Sequence, residues 1–276
     1  MKTILIATDF SESATNAAKF AAFLSNKLHT KTIILYHTFE FLPLSQDAPK
    51  GIIASAEALI KQRMEHLDEL KTVISDIVNS QVDIITITDS HGLNKGINLL
   101  AQQHEVEMVV IGLSGKNRIE QLIIGSNTAR LTKECKLPLL IVPLKTTFVP
   151  IEQIILACDM KNVAGTVPVK YVKNITKQLD AKLTVVHVDK GSSFNPDIIW
   201  QQYTIHELLD ELQPEYHFVE NKNVSEGILN FAEQRKGQMI ISIMKDRGFM
   251  ENLFHKSVTK HLVHLASMPL LIMKLN

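Results

Sequence analysis

Gly112, Gly115, Gly125 and Ser126 follow the apolar run Met108–Ile111 in the order Gly-x2-Gly-x9-Gly-Ser, and they lead directly into the segment NTARLTKE. Residues of these types in this order can cradle an anion. A glycine lets backbone N–H groups approach a phosphate with no Cβ in the way, and the first N–H groups of a helix beginning at Ser126 are unpaired at the positive end of its dipole. Any one of these glycines reads equally well as a turn around a strand. The whole set, lying between an apolar strand and a helix start, reads as a phosphate cradle.

Other chemistry-bearing patterns are weaker. No Gly-x-Ser-x-Gly elbow, Gly-x4-Gly-Lys-[Ser/Thr] loop or His-Glu-x-x-His pair occurs. His261 and His264 share a helix face near His255, but no Cys or carboxylate stands at metal spacing, so they read as surface or interface histidines and no metal site is assigned. His37 and His187 recur at the same strand position, which points to a structural role. Cys135 and Cys158 form neither a disulfide framework nor a Cys-x-x-Cys pair; they read as buried or half-buried free thiols, suited to a reducing compartment.

The elements that must position the glycines alternate in type. Ile4–Thr8 is a short apolar strand, DFSES supplies turn and capping residues, and Ala14–Leu28 is apolar-periodic. Thr32–Tyr36 is a strand ending at His37 and Thr38, and a Pro-containing stretch then leads into an amphipathic segment from Ala54 to about Asn79, whose Lys61–Lys71 face is solvated. Val82–Thr88 is a third strand, Gly96–Gln103 a short helix, Met108–Ile111 a strand buried on both faces, and Leu137–Pro143 a fifth strand. Strands alternating with helices imply a mostly parallel, doubly wound α/β sheet, because parallel neighbours need crossover connections.

The second half repeats the first. Ile154–Asp159 lies 150 residues beyond Ile4–Asp9, and Val185–Val188 lies 150 beyond Leu35–Thr38. Gly227, Met239, Ser257 and Pro269 then lie 131 beyond Gly96, Met108, Ser126 and Pro138, so a single change of 19 residues, falling after the second strand, accounts for the whole register. There the second copy has only a shorter helix, around Pro196–Leu212. The chain therefore divides into two tandem domains, 1–145 and 151–276, joined through Thr146–Pro150. The second copy carries Ile243, Asp246 and Lys256 where the first has its three glycines, and keeps Ser257. A β-branched side chain and a carboxylate at those positions oppose phosphate binding, which marks the second domain as degenerate.

The motif Gly-x2-Gly-x9-Gly-[Ser/Thr] resembles the ATP-binding motif of the universal stress proteins, and ILIATDFSESA at Ile4–Ala14 resembles that family's first strand and loop; the likeness covers nearly the whole chain in two copies. It implies that each domain has a five-stranded sheet of order 3-2-1-4-5 with about four helices. A ligand would sit where that order reverses, between the strands ending at Asp9 and Gly112. By resemblance, Ala7 and Asp9 border adenine and ribose, the main chain at Thr38 reads the adenine edge, and Gly112, Gly115, Gly125, Ser126 and the Asn127 N–H hold the phosphates. The Ser126 hydroxyl could also reach a divalent ion such as Mg bridging them. Read from the residues alone, Asp9 serves equally well as a helix cap or turn residue.

Composition sets further expectations. Lys+Arg and Asp+Glu are equal at 29 each, so no basic field draws the chain to nucleic acid, and 45% hydrophobic residues in 276 suit a folded protein with a sizeable core. Without an N-terminal signal or an apolar run of about 18 residues, the cytoplasm is the expected compartment and no membrane is implied. The expected function is ATP binding with a regulatory or stress-response role, at most slow hydrolysis, and no assigned catalytic residue. Two alternatives stay open: an interaction protein that binds no nucleotide, and an adenylating enzyme on the same fold. Against the second, the loop after the first strand reads TDFSES rather than the Ser-Gly-Gly-x-Asp-Ser of related ATP pyrophosphatases. Finally, LPLLIVP and MPLLIMK are apolar strands expected at sheet edges, and edges need cover. Family members dimerise through this strand, which implies an intramolecular pseudo-dimer here and leaves a further homodimer open.

Overall fold

A computed structural model describes residues 1–39, 50–113, 126–191, 196–244 and 252–274, with 50–56 and 252–257 described in backbone only. The strands are β1 (Thr3–Ala7), β2 (Thr32–Thr38), β3 (Asp83–Asp89), β4 (Val106–Leu113), β5 (Leu139–Pro143), β6 (Gln153–Ala157), β7 (Lys182–Asp189), β8 (Glu215–Glu220), β9 (Met239–Met244) and β10 (Leu270–Lys274). Between them run helices α1 (Glu12–Lys27), α2 (Lys50–Ser75), α3 (Leu93–His104), α4 (Ser126–Glu134), α5 (Val163–Thr166), α6 (Val169–Leu179), α7 (Pro196–Leu209), α8 (Val224–Gln234) and α9 (Asn252–Leu265). The strands form one ten-stranded sheet in the order β3-β2-β1-β4-β5-β10-β9-β6-β7-β8. Each half has the expected 3-2-1-4-5 order, read inward to the middle of the sheet, so β1 and β4 flank the reversal point in the first half, as do β6 and β9 in the second.

One antiparallel contact joins the halves. β10 pairs with β5 through Leu270↔Ile141, Leu271↔Leu140 and Ile272↔Leu139, whereas the other neighbouring strands run parallel. Because side chains alternate along a strand, this contact is covered on both faces: Leu140 and Leu271 belong to the apolar layer containing Ile4 and Ile154, and Ile141 and Leu270 to the layer containing Leu5 and Ile155. Each layer is thus continuous across the join. The joining segment is itself packed: Phe148 stacks on Phe23 at 4.8 Å and meets Phe20 edge-on at 5.4 Å, while Asn16 Nδ2 donates to the carbonyls of Pro143 (3.3 Å) and Thr146 (2.9 Å). The outermost strands are β3 and β8, and β8 carries Glu215 and Glu220, charges that discourage further pairing.

The two halves differ at their first crossover. In the first half, Ser11 caps α1 by accepting from Ala14 N (3.3 Å), and buried Ala14, Ala17, Ala18, Ala21 and Ala22 let the helix lie close to the sheet. In the second, Val167 and Pro168 interrupt the matching helix, leaving α5 and α6; proline supplies no N–H to continue a helical turn. Helix α2 begins at Lys50, four residues before the position expected, and the preceding Pro-containing stretch at 40–49 lies outside the described residues.

If the halves are held by β5 and β10, a Leu140→Lys, Leu271→Lys double variant, which places two ammonium groups at one buried register pair, should part them. Solution X-ray scattering should show a larger radius of gyration, with a rise in fluorescence of a dye that binds apolar surface. A parent-like scattering profile from the folded variant would contradict the role given to this pairing.

Candidate functional site

The first crevice begins where one strand stops and its neighbour continues. β1 pairs with β2 as far as Ala7↔Tyr36, while β2 stays paired with β3 as far as Thr38↔Asp89. Thr8 N donates to Tyr36 O (2.9 Å) on the β1 side, and Phe39 N donates to Asp89 O (3.2 Å) on the β3 side. Because main-chain groups of a parallel strand alternate in direction, the N–H and C=O of Thr38 are aimed past the end of β1. A continuing ladder would set the Thr38 N–H on the Thr8 carbonyl. Instead the buried His37 side chain takes that carbonyl, donating from Nδ1 at 2.8 Å.

The chain then turns sharply out of β1. Phe10 adopts a left-handed φ of 64°, an uncommon conformation for a side-chain-bearing residue, costing roughly 1–2 kcal/mol. Asp9 Oδ1 accepts from Ser11 N (3.0 Å), so the turn uses one carboxylate oxygen while α1 is capped by Ser11 and not by Asp9. Asp9 is exposed and Ala7 is buried beneath it. Of the two roles read from the residues alone, the turn is therefore present and the cap is not.

Several polar residues that the sequence reading passed over hold Thr38 in place. Asp89 Oδ1 accepts from the buried Tyr36 hydroxyl (2.8 Å) and from His91 N (2.9 Å), and Asp89 Oδ2 lies 3.2 Å from His91 Nδ1. The Thr38 hydroxyl donates to the His91 carbonyl, which ties its side chain toward β3 and away from the crevice. Burial and the neighbouring Asp89 carboxylate both push the Tyr36 hydroxyl well above its ordinary pKa, so it stays a donor. Gly96 makes room for it: a methyl group there would stand 1.7 Å from the Tyr36 oxygen. The pairing of Gly96 with Gly227 and of His37 with His187 across the repeat was the available sequence signal for this region.

Gly112 stands on β4, one residue beyond the Ala7↔Ile111 register pair and hence beside Thr8. Its lack of a side chain has a cause within the fold. A methyl group at Gly112 would lie 2.2 Å from Ser13 O, 2.4 Å from Ser13 C and 2.7 Å from Ala14 N, all backbone atoms of the first turn of α1. Gly112 thus lets α1 start directly against β4. Ala7, Asp9, Thr38 and Gly112 are accordingly brought together at the ends of three adjacent strands. Ser126 and Asn127 are exposed at the first two residues of α4, and Gly115 and Gly125 lie outside the described residues.

Burial holds the His37 imidazole below its usual pKa, reinforced by Arg63 and His66 on α2, while the Thr8 carbonyl and Asp9 act the other way. The neutral ring therefore keeps its proton on Nδ1, where the Thr8 bond needs it. Phe10 packs against it at 4.4 Å between ring centroids. His187 repeats the bond, donating from Nδ1 to Cys158 O at 2.9 Å. Cys135 and Cys158 are buried free thiols. Among the described residues, no three His, Cys, Asp or Glu side chains gather as metal ligands, and no helix is long and apolar enough to cross a membrane.

Comparison with known proteins agrees with this architecture. The model of the Universal stress protein family matches residues 1–143 and again 150–274. A universal stress protein from Methanocaldococcus jannaschii is 24% identical over 161 residues, spanning 53% of this chain and 97% of that protein. Among solved structures, a universal stress protein from Archaeoglobus fulgidus superposes with a TM-score of 0.73 at 14% identity, covering 99% of this chain and 98% of the other. A Pseudomonas aeruginosa protein of unknown function gives 0.61 at 14% identity, covering 99% and 92%.

The backbone contact at Gly112 predicts that Gly112→Ala, the smallest addition, destabilises the chain by about 1–3 kcal/mol, read as a lowered midpoint in denaturant unfolding; an unchanged midpoint would contradict the close approach. The depressed His37 pKa predicts a sign for the pH dependence. Below about pH 6.5 the unfolded chain binds the proton more readily than the folded one, so stability falls as pH drops through that value. His37→Asn, which keeps a donor for Thr8 but cannot titrate, should flatten the unfolding free energy between pH 7 and 5 relative to the parent. Parallel curves for the two proteins would contradict it.

Proposed function

We propose, from the premise that this chain belongs to the universal stress protein family, that its first half binds one ATP, or a related adenine nucleotide, and uses occupancy as a regulatory signal. The observation that carries this reading is the Thr38 main chain. Its N–H and C=O project together past the end of β1. A donor beside an acceptor matches the adenine edge, whose ring nitrogen accepts and whose amino group donates.

The neighbouring groups extend the same match. Ala7 leaves space below the base, and the Asp9 carboxylate is placed to accept from a ribose hydroxyl while its Oδ1 also holds the turn. The phosphates would fall to the N–H groups of Gly112, Gly115, Gly125, Ser126 and Asn127, with Gly112 also letting α1 start directly against β4. The Ser126 hydroxyl would share a Mg ion with those phosphates, and the ion's role is to offset their charge. No residue is assigned as a general base, so the chain holds the nucleotide without efficient turnover. Nucleotide occupancy of this crevice would carry the signal to a partner in a stress response.

Calorimetric titration of the full chain with ATP should give one site per chain, and Gly115→Val should abolish it while circular dichroism stays that of the parent. ATP recovered intact after incubation supports signalling by occupancy, whereas rapid release of AMP would favour the adenylating alternative. Two equivalent tight ATP sites, or unchanged affinity in folded Gly115→Val, would overturn the reading.

A further inference from the structure

The shorter crossover of the second half leaves apolar surface uncovered. In the first half the 26 residues of α2 pack along β3 and β2, whereas α7 has 14 and packs chiefly on α5 and α6. A surface helix ordinarily hides an apolar side and shows a polar one. α7 does only the first. Its inner side buries Ile205 and Leu209, with Ile198 packed against the same layer, and the Tyr216 hydroxyl of β8 donates to the Ile205 carbonyl (3.3 Å). Its outer side carries Ile199, Trp200 and Tyr203, spaced as one helical face and exposed to 56%, 72% and 59%.

β8 continues this surface. Tyr216 and Phe218 are two residues apart and so stand on the same side of the sheet, and the His206 ring of α7 lies edge-on to Tyr216 at 5.6 Å. Phe218 is therefore on the α7 side of this outermost strand, and it is 46% exposed. It pairs with His187 as Thr88 pairs with His37, so an exposed ring stands where the first half has a threonine. Single exposed apolar side chains are ordinary, but four gathered on one side of one sheet edge mark a contact surface.

Charge selects the partner. α7 and β8 contain no Lys or Arg, while Asp197, Glu207, Asp210 and Glu220, on or next to these two elements, are exposed. On the neighbouring α6, Lys173 and Lys177 are both held by Glu211. We infer that this face of α7 and β8 is a docking surface for a cationic amphipathic helix of another protein. Its aliphatic stripe would cover Trp200, Tyr203 and Phe218, and its Lys or Arg side chains would meet the acidic margin. Nucleic acid or an anionic lipid surface would be repelled there. A second copy of this face brings no counter-charge, and with aromatic side chains of roughly 150–250 Å² each the four fall well short of the roughly 800 Å² per partner that a stable dimer covers. The inference concerns the second half and does not depend on a nucleotide in the first.

Trp200 is the sole tryptophan of the chain, so its emission reports on this surface directly. The full chain is titrated with a helical peptide of leucine and lysine in amphipathic order, and separately with its leucine–glutamate counterpart. The lysine peptide should move the Trp200 emission to shorter wavelength and saturate at one equivalent, while the glutamate peptide should leave it in place. Tyr203→Ser and Phe218→Thr, both at exposed positions, should each weaken the lysine peptide about tenfold or more, and the pair Glu207→Lys, Asp210→Lys should do the same. Equal binding of both peptides, no saturable shift, or unchanged affinity in either folded Tyr203→Ser or folded Phe218→Thr would overturn the inference. So would a shift on raising the protein concentration alone with a doubled mass in sedimentation, which would give the face to a second copy, or a shift with phosphatidylglycerol vesicles, which would give it to a membrane.

Discussion

A buried imidazole on a backbone carbonyl, His37 Nδ1 to Thr8 O, decides where the central strand stops. A parallel ladder left to itself would continue, because each further pair satisfies a donor and an acceptor for about 1 kcal/mol net. By occupying the carbonyl that Thr38 N would use, His37 ends the pairing of β1 with β2 while β2 goes on along β3. The step between the two strand ends is the crevice. The left-handed turn at Phe10 carries the chain away from the step, and the Asp9–Ser11 turn fixes the direction in which it leaves. Depressed basicity is part of the design, since a protonated ring would place a charge among buried groups already facing Arg63 and His66.

Gly112 links that step to the helix that roofs it. Because backbone atoms of Ser13 and Ala14 occupy the space of a side chain there, the residue at this position sets how closely α1 can start against β4. The second half illustrates the alternative: with Ile243 in place, the corresponding helix is split by Val167–Pro168 into α5 and α6. Ile243 in place of this glycine goes with a different packing of the first crossover, while the backbone device at the end of the neighbouring strand is kept. The antiparallel contact of β5 with β10 removes two apolar edges and merges the apolar layers, so both crevices are mounted on one sheet. The joining segment is packed against α1 through the contacts of Phe148 with Phe20 and Phe23.

Much of this was legible in the amino-acid order. Alternation of apolar runs with capped, periodic segments specifies a parallel sheet, and the constant offsets of 150 and then 131 expose the duplication, because strand positions cannot slip by one residue without reversing which side chains are buried. Matching apolar strands at Leu137–Pro143 and Met268–Lys274 announce the central pairing. Other features were hidden for physical reasons. Hydrogen bonds from a side chain to a distant carbonyl, such as His37 to Thr8 or Thr38 to His91, leave no periodic trace. Gly112 could be recognised as a place of close approach, but that the approaching group includes the protein's own α1 backbone depends on helix placement that no spacing rule supplies. The split of α5 from α6 was available in Val167–Pro168 and is explained by proline's missing N–H.

The central claim is that the Thr38 main chain, exposed by the early end of β1, receives the adenine of one ATP. Amide nitrogen–proton NMR spectra of the full chain, recorded through an ATP titration, test it at the atoms concerned. The account predicts that the Thr38, Ser126 and Asn127 amides shift together and saturate at one equivalent, while the Val188 and Lys161 amides stay in place. Saturable ATP binding with the Thr38 amide unmoved, or equal shifts at Thr38 and Val188, would contradict it.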